Sequence, residues 1–177
     1  MADRSELGKV HVITGPGKGK TTSAFGVAMR AAGHGLKVCI VQFLKTGGST
    51  GEVVSSRRIL EINVKQFGTG KFLDPKRPSE DDKQRAREAL EYVKSVIAKG
   101  GCAVLILDEV NVAASFGLVD PREVIDALRS RGAGIEVVLT GRNAPREFVE
   151  YADYVSVVES LKHPYDKGLK PRKGVEW

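Results

Sequence analysis

Six short runs rich in β-branched residues punctuate the 177-residue chain: VHVIT at 10–14, KVCIVQF at 37–43, INVKQF at 62–67, AVLIL at 103–107, IEVVLT at 135–140 and YVSVVE at 154–159. Most are continuously apolar rather than alternating, the pattern of strands buried on both faces of a parallel sheet. Helical spacing fills the gaps. Phe25, Ala28, Met29 and Ala32 fall on one face after the first run, and Ala86, Ala89, Leu90, Val93, Val96 and Ile97 do so before the fourth. Ser79 with Asp82, and Asp120 with Glu123 around Pro121, read as capping boxes, while Gly33, Gly100 and Gly132 read as helix ends. Strand and helix in alternation predict a three-layer α/β fold with a mostly parallel sheet of about six strands. Two stretches, 44–58 and 68–78, break the pattern and read as long functional loops.

Length and composition agree with one domain spanning 1–177, since domains average roughly 150 residues. Hydrophobic residues at 41% and charged residues at 28% exclude disorder and coiled coil. The apolar runs are far short of the ~20 residues that span a bilayer, and MADRSELGK has no apolar leader segment, so a cytoplasmic location without membrane attachment is expected. Cys39 and Cys102 lack CxxC spacing and read as buried, reduced thiols. The net charge of +6 is concentrated in two segments, 57–77 with a balance of +4 and 160–177 with +3, which suits an anionic ligand. Neither segment interleaves aromatics with basic residues, so nucleic acid is not the expected partner.

The first apolar run leads directly into TGPGKGKTT at 14–22, followed by a helix-forming stretch. Glycines let successive backbone N–H groups converge on phosphate oxygens, and the helix N-terminus adds partial positive charge. Lys20 can reach a terminal phosphate, and Thr21 can place its hydroxyl on a magnesium ion. Against GxxxxGK[ST], Gly19, Lys20 and Thr21 are in place, but Thr14 stands where the first glycine belongs. Counted from Gly15, the loop is one residue short, so it should hold a polyphosphate differently from an ordinary ATPase or kinase. The run VLILDE at 104–109 ends in Asp108 and Glu109, which in a parallel sheet share the edge where the phosphate loop opens and offer oxygens to a hard cation. Such a pair also serves as solvent-facing polarity or a helix cap.

These residues alone establish a nucleotide-binding enzyme and leave its reaction open. In a hydrolase Glu109 would act as base; in a small-molecule kinase Arg57, Arg58 and Arg142 would be candidates for the lid. A nucleotide-dependent nucleic-acid protein would use the two basic segments and bind with strong salt dependence.

Taken together, GPGKGKTTSAFG at 15–26, VQFLK at 41–45, LDEV at 107–110, LTGRNAP at 139–145 and the tail LKHPYDKGLKPRKGVEW at 161–177 resemble the P-loop class of ATP:corrinoid adenosyltransferases over nearly the full chain. The resemblance implies a P-loop NTPase-like (RecA-like) fold and a reaction in which Co(I) of a corrinoid attacks the 5′ carbon of ATP and releases triphosphate. It implies ATP and corrinoid as substrates, Mg2+ as cofactor, an electron-donor flavoprotein as partner and a homodimer. Carried over, Gly15, Gly17, Lys18, Gly19, Lys20, Thr21 and Thr22 form the triphosphate cradle. Thr21 and Glu109 hold the metal with Asp108 in support, and Lys20, Thr21 and Glu109 carry the catalysis. In the loop Gly68–Phe72, Phe72 is the candidate aromatic that displaces the lower ligand of cobalt. One aromatic stands there where some relatives have two, so Tyr165, Trp177 and the basic tail are alternatives for covering the site. His163 reads first as a hydrogen-bonded loop residue, and His11 and His34 as structural.

Overall fold

A computed structural model describes residues 4–71, 73–74 and 77–176. Each expected run forms a strand: β1 (Val10–Thr14), β2 (Val38–Phe43), β3 (Ile62–Phe67), β4 (Val104–Asp108), β5 (Glu136–Thr140) and β6 (Tyr154–Val157). All pair in parallel, in the order β3-β2-β4-β5-β1-β6. Parallel neighbours need crossovers, which α1 (Lys20–Gly33), α2 (Gly51–Ser56), α3 (Glu80–Lys99), α4 (Val110–Ser115), α5 (Pro121–Arg129) and α6 (Arg146–Tyr151) supply.

The helices divide unequally between the two faces. On one, Ala24, Phe25, Ala28 and Ala31 of α1 and Val53 of α2 pack on Ile40, Val104 and Ile106. On the other, α3 to α6 cover Val12, Val41, Phe43, Leu105 and Leu107. Successive β4 side chains therefore enter opposite cores, and an unbroken apolar run is what such a strand requires. The outer strands depart from that rule. Both β6 and β3 are edges with one neighbour; all four β6 residues are exposed, whereas in β3 exposed and more buried residues alternate over most of the strand.

Most expected ends hold. Ser79 Oγ accepts from the Asp82 N–H and the Asp82 carboxylate accepts from the Ser79 N–H, a full capping box, and Gly100 closes α3 in the left-handed conformation. At α5 only half the expected box forms. Asp120 accepts from the Arg122 N–H, while Glu123 turns to the Lys94 ammonium instead, and Ser130 rather than Gly132 is the C-cap. On α1 Met29 is exposed and Ala31 buried, a rotation of the expected face. The stretch 44–58 is not all loop, since α2 lies inside it. The six α3 residues expected in the core are all buried. Cys39 and Cys102 are unbridged thiols; Cys102 is buried in the α3-side core as expected, while Cys39 is only partly buried against it.

Candidate functional site

At the carboxyl ends of the strands, the chain leaves β2, β4 and β5 through non-glycine residues with positive φ: Leu44 (60°), Glu109 (63°) and Asn143 (54°). Such residues cost about 1–2 kcal/mol each and persist where the surroundings over-determine them. Their clustering on one edge, beside the phosphate loop that follows β1, marks the edge that the topology sets aside for a ligand.

The loop itself rests against the chain beyond β6. A Cβ on Gly15 would lie 2.5 Å from the Val158 carbonyl oxygen, and one on Gly17 2.5 Å from that of Glu159, so only glycine permits this approach. The Gly17 N–H donates to the Val158 carbonyl at 2.7 Å and is thereby directed away from the cleft. Gly19 differs: with φ 118° it starts α1, and the space a Cβ would enter is open. The shortened loop thus rests Gly15 and Gly17 on the chain beyond β6 while its residues from Pro16 to Thr22 line a cleft of about 640 Å³. Lys20 is buried, and its ammonium donates to the Gly17 carbonyl at 2.6 Å. Burial first, and then the Arg142 guanidinium, lower its pKa against the pull of Glu109.

Asp108 is fully buried and accepts from four donors: Thr21 Oγ1 (2.9 Å) and Thr140 Oγ1 (2.6 Å) on Oδ1, and Gln42 Nε2 (2.8 Å) and Lys45 Nζ (2.7 Å) on Oδ2. Burial works to raise its pKa, but Lys45 and these hydrogen bonds outweigh it and hold the carboxyl below its usual value. Glu109, one residue on, faces the cleft. Burial pushes its pKa up, Lys45 opposes and the Asp108 charge adds to the rise. Its Oε1 lies 3.9 Å from Lys45 Nζ. The ammonium itself is held high, because the two carboxylates overcome its burial.

The expected residues therefore meet. Gly17, Lys18, Gly19, Lys20, Thr21, Thr22 and Glu109 line one cleft, and Asp108 stands directly behind Thr21. Gly15 packs against Val157 and Val158 beneath the loop and is not among the residues lining the cleft. Arg142 and His163 also line the cleft; the His163 ring accepts the Tyr165 N–H at 3.2 Å, as a loop histidine should. Arg57 lies apart, against Gly48 on the β3 side, and Arg58 is exposed. His11 is structural: it bonds Glu136 at 2.6 Å and stacks on Tyr154. Phe72 and Trp177 lie outside the described residues. Tyr165 is 70% exposed.

Sequence reasoning missed four participants. Gln42 lies in β2, Lys45 follows that strand and Thr140 ends β5, and all three reach Asp108 only because β4 lies between those strands. Glu176 enters the cleft wall from the tail, fixed by three donations from Arg172, which with the Lys18 charge nearby lower its pKa to about 2. No single-sequence signal joins these positions.

Among known proteins, residues 6–177 match the family model described as ATP:corrinoid adenosyltransferase BtuR/CobO/CobP. The chain is 37% identical to a corrinoid adenosyltransferase of Pseudomonas aeruginosa over 175 residues, covering 98% of this chain and 86% of the relative. It is 37% identical to the Escherichia coli K12 enzyme of the same name over 177 residues, with 98% and 88% covered. A third relative, corrinoid adenosyltransferase CobA of Salmonella typhimurium, is 35% identical over 177 residues, again with 98% and 88% covered. With its phosphate loop, its carboxylate pair and nearly its whole length accounted for, the chain belongs to the ATP:corrinoid adenosyltransferase family.

Proposed function

We propose that the chain transfers the 5′-deoxyadenosyl group of ATP to the Co(I) of a corrinoid and releases triphosphate, in adenosylcobalamin biosynthesis or salvage. One observation carries the residue assignment: Lys20 and Thr21 of a shortened phosphate loop share a cleft with Glu109, with Asp108 hydrogen-bonded to Thr21 behind it. The electron pair on cobalt forms the bond to C5′ as the bond from C5′ to the triphosphate oxygen breaks. That nucleophile needs no base, so the protein's work is to align C5′ and neutralise the leaving group. The amides from Gly19 to Thr22 and the ammonium groups of Lys18 and Lys20 cradle the phosphates in this reading.

The donor set suits a hard cation: the Thr21 hydroxyl and the carboxylates of Asp108 and Glu109 are all oxygen, and all three lie within 4 Å of the single Lys45 ammonium. Thr21 and Glu109 are the proposed holders of Mg2+, with Asp108 in support. When bound, that ion neutralises phosphate charge. Phe72 keeps its proposed part in displacing the lower cobalt ligand, and the same reading brings with it a cytoplasmic homodimer served by an electron-donor flavoprotein. Among the described residues no helix is long and apolar enough to cross a membrane.

The raised pKa of Glu109 is what a general base in a hydrolase would show, so ATP hydrolysis is the second reading. Anaerobic incubation with ATP, magnesium and chemically reduced cobalamin separates the two. Formation of a light-sensitive alkylcobalamin with one intact triphosphate per product is expected. Orthophosphate without alkylcobalamin would replace adenosyl transfer with hydrolysis.

A further inference from the structure

Lys45 stands where the three oxygen groups proposed to hold the cation converge. Its Nζ lies 2.7 Å from Asp108 Oδ2, 3.2 Å from Thr21 Oγ1 and 3.9 Å from Glu109 Oε1. A residue that merely neutralised Asp108 would need only the first contact. This one touches a group from α1 and both carboxylates at the end of β4, as a metal ion between them would. The position of its backbone matters too. Lys45 follows Leu44, whose φ of 60° turns the chain out of β2, and its side chain is 27% exposed, whereas Asp108 has no exposure at all. The carboxylate is fixed by Gln42 and Thr140, and the ammonium, on a flexible four-carbon stem, is the partner that can leave.

We propose that Lys45 is an internal stand-in for the divalent cation: it occupies the Thr21–Asp108–Glu109 site when no metal is bound and is expelled when one enters. The proposal rests on the assignment of those three residues as the cation site. Magnesium takes its oxygens at about 2.0–2.1 Å, and an ammonium less than 4 Å away would face strong repulsion in a partly buried site. The two cations therefore exclude each other, and binding of one is paid in the release of the other. Expulsion does not strand the ammonium, because it already lies 3.2 Å from the hydroxyl of Thr21, a residue that lines the cleft where the phosphates of the nucleotide are expected. The site is thereby biased against metal alone and toward metal that arrives with an anionic ligand able to receive Lys45.

The test is Mn2+ binding to the full-length protein without nucleotide, followed by the paramagnetic signal of the ion, with thermal unfolding in parallel. Lys45→Met should bind Mn2+ about tenfold more tightly than the wild type, within the range of ordinary coupling between sites. Its melting temperature should fall without metal and recover on Mn2+ addition, a rescue that a purely structural lysine would not show. Lys45→Gln, which keeps a hydrogen-bond donor without the charge, should behave alike and serves if the Met variant does not fold. Lys45→Arg, which keeps the charge, should stay near the wild type. Glu109→Gln separates the two levels of the argument. If it weakens Mn2+ binding while Lys45→Met leaves affinity unchanged or lowers it, the cation site stands and the stand-in is overturned. If Mn2+ binds none of the proteins, or all of them equally, the cation site falls and the stand-in with it.

Discussion

Asp108 and Glu109 are adjacent, yet one accepts four hydrogen bonds in the interior and the other turns its carboxylate to the cleft, so their charges act on stability in opposite senses. An Asp held below its unfolded value of about 3.9 stabilises the fold above that pH, and the contribution disappears as pH falls through the lowered value. Glu109 is raised instead. Its contribution is complete below about pH 4.3 and lost as pH rises through the raised value. At pH 7 Asp108→Asn should therefore destabilise the protein by about 2 kcal/mol, the scale for disrupting a charged buried hydrogen-bond set, and should flatten the loss of melting temperature below pH 4. Glu109→Gln should raise the melting temperature at pH 7 in metal-free buffer, with the gain gone at pH 4. Thermal melts from pH 3 to 8 check both. Lys20→Ala removes the buried ammonium aimed at the loop, and adenosyl transfer should fall at least about a hundredfold, as for loss of a positioned donor to developing charge, with the fold intact by circular dichroism.

Helix α3 shows how the start of one element holds a neighbouring loop. Its capping box holds Asp82, and Asp82 also accepts from Thr69 Oγ1 at 3.1 Å, which ties the segment around Gly68–Lys71 to the start of the helix. Ser79→Ala should cost about 1 kcal/mol in denaturant unfolding, typical of a lost N-cap. It should also speed proteolysis between 68 and 78 in the native protein; equal cleavage rates would show that the Thr69 contact holds the segment unaided. The phosphate loop depends on its neighbour in the same way. Its glycines at 15 and 17 are demanded by the carbonyls of Val158 and Glu159, so the segment after β6 shapes a loop that lies more than 130 positions earlier in the chain.

Across the whole molecule, the tail adds to the cleft without adding to the cores. The two cores lie between residues 10 and 148, whereas from 160 to 176 every residue but His163 is exposed. A chain ending at Glu159 should therefore melt within a few degrees of the full protein, since exposed residues contribute little, but should bind ATP less tightly because His163, Val175 and Glu176 line the cleft. Calorimetry of both chains distinguishes this from a tail that is part of the fold. The strands, the α3 core face, the capping box at Ser79 and the phosphate loop were legible in the chain, because each is a local pattern: a run of β-branched residues, a 3.6-residue period, a cap three residues from its partner, glycines before a lysine. Met29 and Gly132 were misjudged because burial and helix ends yield to packing that no local window contains. The surroundings of Asp108 belong to the tertiary structure alone. Strand order sets β4 between β2 and β5, and only then do Gln42, Lys45, Thr140 and Thr21 reach one carboxylate, hold its charge in the interior and leave Glu109 facing the cleft.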